Sequence, residues 1–376
     1  MISSAPVKAF MDKGKKMILI ISLSFLACLL IFTGVLWTLS SGKPKPYLDP
    51  SGSPMAGSVS EKVFMNIGGV RQGMFIKSKD ASQPVLLYLH GGMPDYFLTQ
   101  KYPTGLEENF TLVWWEQRGS GISYSANIPR ESMTLEQMIL DALEVTNYLR
   151  RRFGQDKIYL MGHSGGTFIG IQVAARAPEL YKAYIGIAQM SDQLKSERMA
   201  YEYMLEQYRK EGNTKMEQKL RAAPVTDSLP DTYLKLRDQA MHELGIGTMH
   251  GMNSVISGLF LPSLAFREYT LAEKINMWRG KSQSGVSILW KEMLATNLIN
   301  KVPQLDIPVY FFSGIYDYTV CYSLSKEYFE KIKAPMKGFY SFEKSAHSPL
   351  FEEPEKMRRI MQEDVLRGVN SLADLK

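Results

Sequence analysis

Cysteine is nearly absent from this chain of 376 residues, which has two. Cys28 lies inside an apolar run and Cys321 lies in the part expected to fold, so the two cannot pair. That excludes a disulfide framework and a cysteine-based metal site. Long runs of one charge are missing as well. The formal net charge is +6, and about half of that excess comes from Lys8, Lys13, Lys15 and Lys16 against Asp12. Arg150-Arg151-Arg152 is the densest basic cluster, and it ends a predicted helix, where cations complement the helix dipole. Nothing is comparable to a nucleic-acid footprint, so no nucleic-acid partner is expected. There is no phosphate-binding loop and no properly placed G-x-G-x-x-G, which argues against nucleotide and electron-transfer enzymes. No internal repeat is visible, and the one biased segment is the stretch 40–60.

The first feature present is a nearly unbroken apolar run over residues 17–39, long enough to cross a bilayer as a helix. Lysines precede it, which places residues 1–16 in the cytoplasm and the bulk of the chain outside the cell. A cleaved secretory signal is the competing reading, but its apolar core is usually only about 7–15 residues. Leu26-Ala27-Cys28 hints at a lipoprotein site, yet the apolar run continues past it. Residues 40–60, with Pro44, Pro46, Pro50 and Pro54 among Gly and Ser, are expected to form an extended, disordered tether.

Beyond the tether, strand patterns occur at 62–67, 70–77, 85–89, 111–115, 157–161, 183–187, 309–312 and 337–342. Several are continuous apolar runs, as expected of parallel strands buried on both faces. Thr134-Leu135-Glu136-Gln137 reads as a capping box opening a helix that Gly154 closes. Strands alternating with helices indicate an α/β fold with a mostly parallel sheet. About 120 residues separate the strands at 187 and 309, far beyond an ordinary crossover. Helical patterns at 194–209, 216–221, 233–244 and 284–298 make this an inserted helical cap. The expected division is an α/β core over 61–189 and 301–376, with the cap at 190–300.

Gly162-His163-Ser164-Gly165-Gly166 matches G-x-S-x-G between a strand pattern and a helix pattern, where a nucleophile would sit on a sharp turn. A serine needs a base, and the base needs an acid to orient it. Asp317 follows the strand pattern at 309–312. His347 follows the pattern at 337–342 and is the only histidine beyond residue 250. The order serine, aspartate, histidine, each at a strand end, points to Ser164 as nucleophile, Asp317 as orienting acid and His347 as base. Asp192 is a rival acid, and Asp306 falls at the wrong edge of the sheet. Oxyanion donors are expected from Gly165 and from Gly92 in His90-Gly91-Gly92-Met93-Pro94-Asp95. His90 is read as structural.

These motifs, with Trp115-Glu116-Gln117-Arg118-Gly119-Ser120-Gly121-Ile122-Ser123, resemble the α/β-hydrolases, and among them the proline iminopeptidase-like serine peptidases. The departures are Met93-Pro94 after the glycine pair and Glu116 where that family usually has aspartate. The resemblance spans about residues 60–190 and 300–366. It implies hydrolysis of small amides or esters, on a small-molecule or short-peptide substrate, without metal or cofactor. An aminopeptidase of this kind holds the substrate's α-amine with cap carboxylates, for which Glu197, Glu202, Glu206 and Glu243 are the candidates. A carboxylesterase or lipase is the alternative, for which Phe260, Phe266, Met277 and Trp278 suit an apolar pocket. A non-catalytic binding protein on the same fold is a third reading. The expected whole is a single-pass membrane hydrolase working outside the cell, or a secreted one if the apolar segment is cleaved.

Overall fold

The computed structural model describes residues 5–284 and 287–376. Its strands are β1 (Val59–Ile67), β2 (Val70–Ser78), β3 (Val85–Leu89), β4 (Thr111–Glu116), β5 (Ile158–His163), β6 (Tyr181–Ile187), β7 (Val309–Gly314) and β8 (Lys337–Phe342). They form one sheet in the order β1-β2-β4-β3-β5-β6-β7-β8. The first hairpin is antiparallel, β2 runs antiparallel to β4, and every later pairing is parallel. The carboxyl ends of β3, β5 and β7 therefore share one edge.

Alternation along the strands builds a core on both faces. Val85, Leu87 and Leu89 of β3 pack with one cluster, which takes in Met138, Ala142 and Val145 and the helix after β5. Leu86 and Tyr88 pack into the opposite cluster with Trp114, Phe351 and Met357.

The helices begin with α1 (Ala5–Thr38), followed by α2 (Leu135–Phe153) and α3 (Gly165–Arg176). Thr134 caps α2 as expected, accepting from the Gln137 amide at 3.2 Å. The reciprocal half of the capping box is not made. The Gln137 side chain instead turns its amide NH2 to the buried Asp141 carboxylate and donates to it at 2.8 Å. Gly154 ends α2 with φ 62°, the left-handed conformation glycine adopts freely.

The helical insertion lies between β6 and β7: α4 (Gln193–Lys210), α5 (Thr214–Arg221), α6 (Asp231–Glu243), α7 (Leu261–Ala265), α8 (Leu271–Ser284), α9 (Ile288–Ala295) and α10 (Leu298–Lys301). The single helix expected over 284–298 is divided between α8, α9 and α10, and its positions 285 and 286 lie outside the described residues. Ala200, Met204, Tyr208, Leu220, Tyr233 and Met241 give the insertion a small core of its own. After β7 come α11 (Tyr322–Lys331), α12 (Pro349–Glu352) and α13 (Pro354–Ile360).

Within α1, the segment Lys15–Thr38 is long and apolar enough to cross a membrane, and its most apolar 18 residues have a mean hydropathy of 2.7 with none buried against the rest of the chain. Residues 40–60 are not the free tether that their prolines suggest. The Gly42 amide bonds the Arg267 carbonyl at 3.0 Å, and the Lys45 amide bonds Glu268 at 2.9 Å. Lys274 reaches the Leu39 carbonyl at 2.7 Å and the Ser40 hydroxyl at 2.9 Å. Proline keeps a segment extended and leaves its neighbours' backbone groups to find partners elsewhere, and here the insertion supplies both acceptors, at Arg267 and Glu268, and a donor, at Lys274.

Candidate active site

Ser164 sits between the last residue of β5 and the first of α3, with φ 55° and ψ −124°. That is a strained conformation for a residue with a side chain, and neighbouring glycines make room for it. A Cβ on Gly162 would lie 2.6 Å from the Gly166 carbonyl oxygen, and one on Gly166 would collide with the Leu89 carbonyl. The turn brings β5, α3 and the end of β3 too close for any larger residue. Gly91 is equally tight, since its Cβ would stand 2.8 Å from Ser164 Cβ. The His90-Gly91-Gly92 loop is thereby held against the serine.

Asp317 and His347 come from the ends of β7 and β8. His347 Nδ1 lies 2.9 Å from Asp317 Oδ2. The other carboxylate oxygen accepts the Thr319 and Val320 amides at 2.9 and 3.0 Å. A carboxylate fixed in this way makes Nδ1 the protonated nitrogen and leaves Nε2 free of that bond. Gly314 is obligatory because a Cβ there would run into the Ser345 and Ala346 carbonyls. Glu352 pins the histidine loop from the other side, accepting the Ala346 amide at 2.9 Å and the Ser348 amide at 3.3 Å.

Ser164, Gly165, Gly92 and His347 line one cavity of about 400 Å³, roofed by α4, α6, α8 and α9. Of the four acids proposed from sequence, the structure brings only Glu197 to it. Glu197 is fully buried and is bonded by Arg237 at 2.7 Å, Tyr233 at 3.1 Å and Gln193 at 3.0 Å. Glu202, Glu206 and Glu243 are solvent-exposed and do not line the cavity. Glu206 pairs with Lys210, and Glu243 bonds Tyr208 and Gln239. The reason is helical phase: positions 202 and 206 fall on the side of α4 opposite Ala200, Met204 and Tyr208. Among the apolar candidates, Trp278 lines the cavity, Phe266 and Met277 are core, and Phe260 is exposed. Asp192 is no rival acid, since it caps α4 by accepting the Lys195 amide.

His163 and Asp95 form a part of the site with no signal in the sequence. His163 Nδ1 lies 3.1 Å from Asp95 Oδ2, and Nε2 lies 2.8 Å from the His347 carbonyl oxygen. Two acceptors on one ring suit the imidazolium. Burial opposes that charge, but the Asp95 carboxylate outweighs it and raises the His163 pKa above the usual value. His347 is pushed the other way: burial lowers its pKa, Asp317 resists, and the His163 charge adds to the lowering. The two rings are 4.9 Å apart. The two buried rings are thus shifted in opposite directions, His163 upward by Asp95 and His347 downward by burial. If His347 must be neutral to act, kcat/KM will lose its acid limb through a pKa below the ordinary 6.5. A pH–rate profile whose acid limb lies above pH 6.5 contradicts this assignment.

His90 is structural, as expected. Its Nε2 accepts the Gln117 amide at 3.1 Å, its Nδ1 faces the Gly91 carbonyl, and burial lowers its pKa to about 4. The following segment is scaffold too. Arg118 makes a two-pronged pair with Asp141 at 2.8 and 3.0 Å. Burial raises the Glu116 pKa to about 8, and Glu116 accepts the Ile122 amide at 2.6 Å and the Tyr269 hydroxyl. The longer glutamate thereby ties β4 to the insertion. Among the described residues no group of three or more His, Cys, Asp and Glu could hold a metal ion.

Comparison with known proteins agrees with this architecture. A family model described as alpha/beta hydrolase fold matches residues 84–354. A probable aminopeptidase, YbaC, from Bacillus subtilis is 31% identical over 303 residues, covering 80% of this chain and 95% of that protein. The crystal structure of a proline iminopeptidase-related protein from Thermus thermophilus superposes with a TM-score of 0.56 at 16% identity, covering 81% of this chain and 96% of that one. A membrane phospholipase A described as a bacterial virulence factor gives a TM-score of 0.53 at 16% identity, over 96% of this chain and 98% of that one. At those identities the two structures share the fold. With the family match spanning most of the chain and the sheet order and strand-to-helix serine turn in place, the protein belongs to the α/β-hydrolases.

Proposed function

We propose that this chain is a membrane-anchored serine hydrolase acting outside the cell on a small ester or amide with a bulky apolar group. The observation that carries the chemistry is the His347–Asp317 pair at 2.9 Å, whose histidine lines the same cavity as the strained Ser164. Ser164 Oγ attacks the carbonyl carbon while His347 Nε2 takes its proton. Asp317 holds the imidazolium, and the Gly165 amide with the Gly92 loop faces the oxyanion. Collapse expels the alcohol or amine, which receives the proton from His347, and water then releases the acyl group by the same route. The anchor is α1, with the lysine bias of residues 1–16 setting its orientation.

The cavity wall supports the apolar group. Met93, Met133, Met190, Met241, Trp290 and Met293 contribute to it, and thioether and aromatic walls adapt to irregular apolar shapes. Glu197 is a poor receptor for a substrate amine, because Arg237 already neutralises it at 2.7 Å. The aminopeptidase remains the second reading, supported by the 31% identical relative and by Asp238, an acid in the cavity wall that shares Arg237 at 3.2 Å but, unlike Glu197, keeps much of its side chain exposed.

A fluorophosphonate probe is expected to label Ser164 in the full-length protein, and labelling that survives Ser164→Ala removes the assignment. A folded wild-type protein that takes no label would instead support a binding protein. Acyl esters and aminoacyl amides compared side by side separate the substrate readings. An aminopeptidase must prefer the free amine and lose activity in Asp238→Asn, whereas an esterase does neither.

A further inference from the structure

The insertion carries an apolar surface that its own core does not use. Residues 254–266 contain no charged side chain, and a wide helical turn, Ile256–Phe260, runs directly into α7. Ile256 is 66% exposed, Leu261 54%, and Ile275 on the neighbouring α8 48%. The inner side of the same segment is cavity wall, supplied by Val255 and Leu259 beside Trp278 of α8. The two sides are linked, since Trp278 bonds the Ser263 hydroxyl at 2.9 Å and packs edge-on against Phe260.

Position decides what covers this surface. Lys274, fully buried on α8, donates at once to the Leu39 carbonyl at 2.7 Å and the Leu264 carbonyl at 2.6 Å. One ammonium group therefore fastens α7 to the residue just beyond the apolar helix. Its membrane-spanning segment, Lys15–Thr38, is 24 residues long, about 36 Å at 1.5 Å per residue, so its end reaches the interface of a bilayer core about 30 Å thick. Trp37, near that end, is exposed, as suits an aromatic residue at the headgroup level. The Lys274 clamp holds the uncharged face of 254–266 at the same depth.

We infer that Ile256, Leu261 and Ile275 lie in the interfacial layer of the membrane that α1 crosses, and that substrate enters the cavity from that layer between the turn 256–260 and α8. The substrate class follows: a membrane-resident amphiphile whose apolar chain passes the wall of Val255, Leu259 and Trp278 and whose ester or amide carbonyl reaches Ser164. This rests on the serine-hydrolase reading above. A lipid surface accounts for the uncharged face and its continuity with α1, whereas a protein partner accounts only for the apolarity.

The test uses the full chain reconstituted in phosphatidylcholine vesicles. In a Cys28→Ser background, bimane attached at Ile256→Cys is expected to be quenched by lipids brominated near the headgroup. Absence of quenching overturns the membrane contact and leaves the face to a protein partner. The double variant Ile256→Glu/Leu261→Glu is expected to cleave a long-chain monoacyl ester held in the vesicles at least tenfold more slowly. It should hydrolyse a water-soluble short-chain ester within twofold of the wild type. Equal loss on both substrates, or on neither, overturns the route. So does a wild type that cleaves the soluble ester and ignores the vesicle ester, with Ser164 chemistry intact. A wild type that takes no fluorophosphonate label fails on Ser164 itself, which distinguishes the two failures.

Discussion

Ser164→Ala is expected to lower kcat by about 10⁴- to 10⁶-fold, because nucleophile and base act as a unit and binding with oxyanion contacts sustains only a small residual rate. KM should change little, since the hydroxyl contributes mainly in the transition state. The fold should survive: alanine adds no atom, and the Gly162 and Gly166 clearances stay as they are. Relief of an unfavourable φ is not expected, because alanine shares serine's preference against φ 55°. The check is steady-state kinetics on whichever ester or amide the wild type turns over, alongside a melting curve. A variant within tenfold of wild type would mean that another group performs the attack, and the role assigned to the His347–Asp317 pair would fall with it.

Arg118→Met should produce the largest loss of stability. The guanidinium is almost wholly buried and pairs twice with Asp141, which is fully buried. It also donates to the Gly68 carbonyl at 2.8 Å. Removing one partner leaves a charge in a low-dielectric interior, which costs about 3–5 kcal/mol. Gln72 and Gln137 still donate to Asp141, at 2.6 and 2.8 Å, and place the effect toward the lower end. Replacing both partners, as Arg118→Met/Asp141→Leu, should restore part of the loss, since no buried charge is then stranded. Denaturant unfolding of the detergent-solubilised protein reads all three forms. An unchanged midpoint for the single variant would mean that the pair is solvated in solution. This pair also explains why the family-like segment Gln117-Arg118-Gly119 matters without touching the chemistry: it fixes the β4 end against α2.

The legible part of this protein was what short-range rules govern. Continuous apolar runs marked the parallel strands, and a serine flanked by glycines between a strand and a helix marked the elbow. Glu197 was within reach of the same reasoning. It lies three, four and seven positions before Ala200, Tyr201 and Met204, all buried, whereas Glu202 and Glu206 fall out of that phase. Arg237, four positions after buried Tyr233 on α6, shares the signal. His163 and Asp95 were not legible, because they are 68 positions apart and nothing local distinguishes a histidine aimed at a carboxylate from one in solvent.

The amino-acid order alone was enough for the fold class, the apolar helix and the candidate serine, aspartate and histidine, because strand periodicity and turn chemistry act over a few residues. Tertiary packing decided the rest. It turned residues 40–60 from a free tether into a docked strap, shifted the pKa values of two neighbouring histidines in opposite directions, neutralised Glu197 with Arg237, and tied the apolar face of the insertion to the end of α1. Each of these depends on burial and on partners distant along the chain, and desolvation has no meaning until the chain has folded around the group.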